Sequence, residues 1–141
     1  MVRIPITRGI GVDITSITRF KKLLSKDHEF VKRLSLRILH PQYELKKFEE
    51  LQEITNTNQG LIFFAGTWAS KEALYKSLSI EGQKKFRFKD WYRKYDENGK
   101  PSIHNDQYHE DHEFLLTVSH DEDVLVANVV RQEYVTIGDS D

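Results

Sequence analysis

An α+β domain, with helices packed on a mainly antiparallel sheet, is predicted by three features of the 141-residue chain. Helical apolar spacing fills the first half, in the stripes Ile17-Phe20-Leu23-Leu24, Phe30-Val31-Leu34-Ile38 and Leu45-Phe48-Leu51-Ile54. Two β-rich runs mark the second half, FLLTVS at 114–119 and VLVANVV at 124–130, parted by the polar HDED as a hairpin would be. Between the halves lies LIFFAGTWASKEALYKSL, residues 61–78, whose apolar side chains fall on every side of a helix. A helix of that kind is enclosed by its own protein. Helices first and strands afterwards give an α+β domain rather than alternating βα units.

Taken in order, RGIGVDI at 8–14 reads as a short buried strand with two glycines. Glycines inside an apolar strand mark a bulge or a close backbone approach. Asp13 reads either as a turn residue or as a functional acid. A helix follows, with Thr15 or Ser16 as N-cap. Its polar face carries Arg19, Lys21, Lys22 and Lys26 and is either a solvated face or a docking surface for an acidic partner. A second helix covers Glu29 to Leu39 and ends at His40-Pro41, because the residue before proline is driven out of the α region. Pro41 opens a third helix running to Ile54, and TNTNQG at 55–60 is a loop. FRFKDWYRKY at 86–95 reads as an alternating strand, and DENGKP at 96–101 as a turn around Asn98-Gly99. Aromatic and basic residues so interleaved could also stack bases, a reading the charge balance disfavours. His104, His109 and His112 match no helical metal spacing, and with no cysteine beside them they do not read as a zinc site. From residue 135 the chain reads as a disordered tail, leaving one domain over 1–134.

Hydrophobic residues at 38% and charged residues at 30% place the chain among globular proteins long enough to bury a core. A formal net charge of -1 gives no global attraction to nucleic acid or to an anionic membrane, so any basic partner surface is local. The absence of cysteine removes disulfides, thiolate nucleophiles and cysteine zinc sites. No apolar run is free of charge for long enough to span a bilayer, and no secretory apolar region precedes Gly9. The expectation is an intracellular protein. Residues 1–12 hold Arg3 and Arg8 and no acid, too short a stretch to identify a transit peptide.

The central helix carries Lys71, Glu72 and Lys76 among its apolar residues, and Glu72 projects onto the stripe of Leu61, Ala65, Trp68 and Tyr75. A carboxylate taken out of water is protonated, paired or bound to a metal, because an isolated buried charge costs several kcal/mol. One reading of Glu72 is an i,i+4 pair with Lys76 at a solvated edge, worth about 0.2–0.5 kcal/mol. The other is a functional carboxylate.

Three stretches in this order, GIGVDI at 9–14, WASKEALYK at 68–76 and SHDEDVLVA at 119–127, resemble the small holo-acyl-carrier-protein synthase type of 4'-phosphopantetheinyl transferase. The resemblance runs from Gly9 to about Val130, and AGTW at 65–68 is most similar to the transferase domain of fungal fatty acid synthase. It implies Mg2+-dependent transfer of the 4'-phosphopantetheine arm of coenzyme A to a serine of apo acyl carrier protein, with release of adenosine 3',5'-bisphosphate. By that resemblance Asp13 and Glu72 are the magnesium ligands, and Lys76 reaches the diphosphate as a third catalytic residue. Lys71, Lys76, Ser119 and His120 are assigned to coenzyme A, as are Gly99 and Pro101 of the Gly-Lys-Pro turn. Arg19 is the carrier-protein contact, with Lys22 and Lys26 added on helical spacing. The serine proton goes to a carboxylate or to a water held by the metal. Thr15 stands where larger two-domain transferases have a second acid, and Thr67 where bacterial relatives have an arginine for coenzyme A phosphates, so another basic side chain is needed there. The resemblance further implies a homotrimer with active sites between subunits, and its fungal side favours the mitochondrial matrix over a bacterial-type cytoplasm. The alternatives are a noncatalytic carrier-binding module and a two-carboxylate nuclease. A scaffold has no need of a buried acid beside a lysine, and a nearly neutral chain is poorly suited to nucleic acid.

Overall fold

The computed structural model describes residues 1–54 and 56–138. Strand β1 spans Val2–Ser16, helix α1 Ile17–Leu24, α2 His28–Ile38, α3 Leu45–Glu53, α4 Gln59–Ser77 and α5 Ile80–Lys85. Strands β2 (Tyr92–Tyr95), β3 (Pro101–His104), β4 (His112–Asp121) and β5 (Val124–Ile137) follow a 3-10 turn at Phe88–Asp90. All pair antiparallel in one sheet of order β1-β5-β4-β3-β2, which bears out the predicted α+β class.

Helix α4 lies on the inner face of this sheet, with Phe64, Ala69 and Leu74 fully buried against Leu125, Ala127 and Val129 of β5. Its hydroxyls do not break it, because Thr67, Ser70 and Ser77 each donate back to a carbonyl one turn earlier. Two glycines bring β1 into contact with the helix backbone. A Cβ on Gly11 would fall 1.9 Å from the Ala73 carbonyl oxygen, and one on Gly9 would fall 2.0 Å from that of Ser77. Only hydrogen at those two positions permits the approach, which is the reason for the paired glycines in the motif. Arg131 of β5 fixes the crossing by donating to the last-turn carbonyl of Ser77 and to the carbonyl of Arg8, in the bulge between Thr7 and Gly9.

Several boundaries differ from the prediction. Strand β1 begins at Val2 and continues past Asp13 to Ser16, because β5 pairs with it along its whole length. Residues 41–44 form a turn instead of the first turn of α3. There His40 Nδ1 accepts from the backbone of Gln42, and the Glu44 carboxylate accepts from the N–H of His40. The strand expected over 86–95 begins only at Tyr92, while Phe86, Phe88 and Trp91 join an aromatic cluster with Trp68, Tyr108 and Phe114. Rings so engaged pack on or within the core and offer no platform for bases. The hairpin break shrinks from four residues to Glu122 and Asp123, with Glu122 at φ 52°, so His120 lies inside β4. The tail expected from residue 135 is strand as far as Ile137, and the disorder expected of residues 139–141 lies outside the described residues.

The outer face of the sheet is apolar and uncovered at the β1 edge. Ile10, Val12 and Ile14 are 72%, 51% and 69% exposed, and Val124 of β5 is exposed beside them. Among the described residues no helix is long and apolar enough to cross a membrane.

Candidate active site

The β1–α4 crossing puts three of the predicted residues in one place. Asp13 is on the inward-facing side of β1, opposite Ala127, and its carboxylate is 15% exposed. The Lys76 amine donates to the carbonyl of Val12 at 2.9 Å and to Asp13 Oδ1 at 3.3 Å. Glu72 is one helical turn back along α4. Burial raises its carboxyl above the ordinary value, and the neighbouring charge of Asp13 raises it further, while Lys76 and Arg19 pull it down. Lys76 thus pairs with Asp13, and Glu72 stands beside both as a half-buried carboxylate repelled by a second one. Two oxygen donors held together against their own repulsion suit a hard divalent cation. No group of three or more His, Cys, Asp or Glu side chains with metal-binding geometry occurs among the described residues, so the remaining coordination positions would fall to water or to substrate oxygens.

Arg19 lies at the rim of this site, its guanidinium over the rings of Phe20 and Trp68 at 5.4 and 5.6 Å. With Lys22 and Lys26 it lines one open cleft of about 470 Å3 on α1. The N-terminus of that helix is tied to the β4–β5 turn, where Asp123 accepts from the Thr18 N–H at 2.8 Å and from the hydroxyls of Ser16 and Thr18. Those donors hold the Asp123 carboxyl below the usual 3.8. A carboxylate lowered in the folded state contributes stability that is complete above that value and fades as pH falls below it. Asp123→Ala is therefore expected to loosen α1 at neutral pH, read as faster amide exchange at Thr18 and Arg19 than in the wild type.

His120, Gly99 and Pro101 come together elsewhere, lining a cavity of about 660 Å3 shared with Arg93, Lys47 and Gly66. None of Asp13, Glu72 and Lys76 lines it. Ser119, grouped with His120 in sequence, alternates to the outer face of the sheet opposite Val126, so one chain does not bring the two together.

Lys71 is a correction. Its side chain has no exposed surface, and its amine donates at 2.6 Å both to Glu44 Oε1 and to the carbonyl of Ile38. Burial pulls the amine below its usual value and the Glu44 carboxylate holds it up. An ammonium enclosed in this way cannot meet a nucleotide phosphate; it joins α4 to the end of α2 and to the 41–44 turn. The sequence reasoning also passed over Arg93, whose guanidinium donates to Thr67 Oγ1 at 2.7 Å. Its only signal was Thr67, where the resemblance implied an arginine. His104, His109 and His112 line a third cavity, of about 560 Å3, without forming a three-ligand cluster.

Known proteins resemble this chain over most of its length. The family model described as the 4'-phosphopantetheinyl transferase superfamily matches residues 9–135. A holo-[acyl-carrier-protein] synthase of Geobacillus kaustophilus is 37% identical, over 86% of this chain and 86% of its own. That of Staphylococcus saprophyticus is 31% identical, over 88% of this chain and 97% of its own. Among solved structures, the Bacillus anthracis synthase in complex with CoA (3',5'-ADP) superposes with a TM-score of 0.66 at 26% identity, over 90% of this chain and 97% of that one. The holo-ACP synthase of Plasmodium yoelii shares the fold, with a TM-score of 0.66 at 21% identity over 92% and 98%. A match along nearly the whole chain, together with an acid pair at the crossing that the motif glycines make possible, means that this chain belongs to the 4'-phosphopantetheinyl transferase superfamily and, within it, to the holo-[acyl-carrier-protein] synthase enzymes.

Proposed function

We propose that the chain transfers the 4'-phosphopantetheine arm of coenzyme A to a serine of apo acyl carrier protein, with magnesium, and releases adenosine 3',5'-bisphosphate. The observation that carries this reading is the convergence of Asp13, Glu72 and Lys76 where β1 crosses α4. In the reaction the serine hydroxyl oxygen forms a bond to the phosphorus bearing pantetheine, and the bond from that phosphorus to the bridging oxygen breaks. The electron pair leaves with the bisphosphate, and the hydroxyl proton passes to solvent, directly or through a carboxylate of the site. Phosphoryl transfer of this kind needs position and charge neutralisation more than covalent help.

Asp13 and Glu72 would hold the magnesium ion, which supplies charge neutralisation for the diphosphate. The Lys76 amine, on the same face, stabilises negative charge on the departing oxygen. The basic residues of α1 meet an acidic carrier, since opposite potentials speed and orient encounter. The uncovered Ile10, Val12 and Ile14 stripe supports a trimer, because soluble monomers rarely leave such a patch in water. It also accounts for the separation of the acid pair from the His120 cavity within one chain, with the complete site formed between subunits.

The test is incubation with apo carrier protein, coenzyme A and magnesium, followed by the mass of the carrier. Addition of one phosphopantetheine, lost with EDTA, is expected; an unmodified carrier contradicts the reading. Arg19→Glu is expected to raise the carrier KM about tenfold while the coenzyme A KM holds, and an unchanged carrier KM removes Arg19 from the interface. Ile10→Glu is expected to shift the protein from trimer to monomer by light scattering with loss of transfer. A monomeric wild type would contradict the assembly.

A further inference from the structure

Arg93 has no part in the chemistry above, yet its surroundings are built. It enters from β2 and lays its guanidinium on α4, donating to Thr67 Oγ1 at 2.7 Å and to the carbonyl of Phe63 at 3.1 Å. Gly66 leaves the room for it, since a Cβ there would stand 3.1 Å from Nη1. Among the described residues no carboxylate forms an ion pair with this guanidinium, and its Nε is buried without a hydrogen-bond partner. Glu44 takes only the backbone N–H of Arg93. A partly buried cation without a counter-ion carries a desolvation cost that an arriving anion would offset.

The cavity in front of it has the matching character. Lys47, Arg93 and His120 contribute basic groups, no acidic side chain lines it, and Phe63 and Tyr95 offer aromatic faces. Such a lining fits a phosphate joined to a ring system. The next step rests on the transferase reading. With the coenzyme A diphosphate assigned to the Asp13–Glu72 pair, outside this cavity, the phosphate left to fill it is the monoester on the ribose.

We propose that Arg93, seated by Gly66 and Thr67, binds the 3'-phosphate of coenzyme A and sets the preference for coenzyme A over its 3'-dephospho form. The guanidinium reaches α4 from a strand distant in sequence, and Thr67 is its seat.

Transfer measured with coenzyme A and with 3'-dephospho-coenzyme A tests this on the wild type, Arg93→Met and Arg93→Met/Thr67→Arg. The Arg93→Met change is expected to raise the KM for coenzyme A about 10- to 100-fold, with kcat and the KM for the dephospho donor little altered. Adding Thr67→Arg is expected to restore the preference. A KM that shifts equally for both donors, or for neither, overturns the proposal. Should the methionine variant fail to fold, Arg93→Lys and equilibrium binding decide the matter. The wild type is expected to hold adenosine 3',5'-bisphosphate more tightly than adenosine 5'-phosphate, and the lysine variant to lose that difference, since an ammonium does not replace a guanidinium fork. A lysine variant that keeps the full difference overturns the proposal. If the wild type transfers nothing from either donor yet discriminates the two nucleotides through Arg93, the transferase reading falls and the phosphate site stands.

Discussion

Glu72→Gln is expected to abolish transfer and, in the absence of metal, to make the protein more stable. The two effects have one origin. The Glu72 carboxylate is partly desolvated and faces the charge of Asp13, so its ionised form is disfavoured in the folded protein. Its folded value lies above the ordinary 4.5, hence the folded state binds more protons than the unfolded one between those two values. In that window the metal-free protein loses stability as pH rises, and at neutral pH the full destabilisation is present. Glutamine removes the charge and keeps the shape, so thermal unfolding of Glu72→Gln without metal is expected above that of the wild type. Magnesium should raise the wild-type transition and leave the variant unmoved. Transfer should fall by about 1000-fold or more, the several kcal/mol that a metal ion supplies to a phosphoryl transition state. A variant that still responds to magnesium would place the ion elsewhere.

Lys71→Met is expected to have the largest effect on folding while sparing the affinity for coenzyme A. It leaves the buried Glu44 carboxylate without its cation, and breaking a buried pair on one side costs about 3–5 kcal/mol. That corresponds to a fall in Tm of roughly 10 °C or more in a domain of this size. Glu44 also accepts from the backbone N–H groups of His40 and Arg93, so deleting it would orphan both donors. The double variant Lys71→Met/Glu44→Gln keeps an acceptor for those groups and removes the lone charge. Most of the lost stability is expected to return. Chemical denaturation of the wild type and the two variants measures this, and the coenzyme A KM of the double variant is expected to match the wild type. A KM raised tenfold would return Lys71 to the substrate.

Glu72 and Lys71 show how far the sequence could be read. Glu72 was legible because its conflict is local: a helix apolar on all sides has no ordinary use for a carboxylate. The glycines beside Asp13 were legible as a sign of close backbone approach, although the helix they touch is some sixty residues away, while the role of Asp13 itself came only from the resemblance. Lys71 was misread because the motif sets it beside Glu72, whereas one residue is a turn of about 100° around a helix and carries it to the interior. Its partner Glu44 is 27 residues away, in a turn that was read as the start of a helix. No periodicity marks such a pair. Arg93 was hidden for a similar reason. In an alternating stretch it reads as one more outward-facing base, and only the room at Gly66 and the hydroxyl of Thr67 show where its guanidinium goes. Ser119 was read as the end of a strand and His120 as the start of a loop; as successive residues of one strand they face opposite ways.

Crystals grown with coenzyme A and manganese, a scatterer that takes magnesium positions, give the most direct test through anomalous density. One ion bonded to both the Asp13 and Glu72 carboxylates, at about the 2.0–2.2 Å of such oxygen ligands, and to the diphosphate is the expected result. An ion held by the diphosphate alone, or by one of the two acids with the other turned away, would contradict the account.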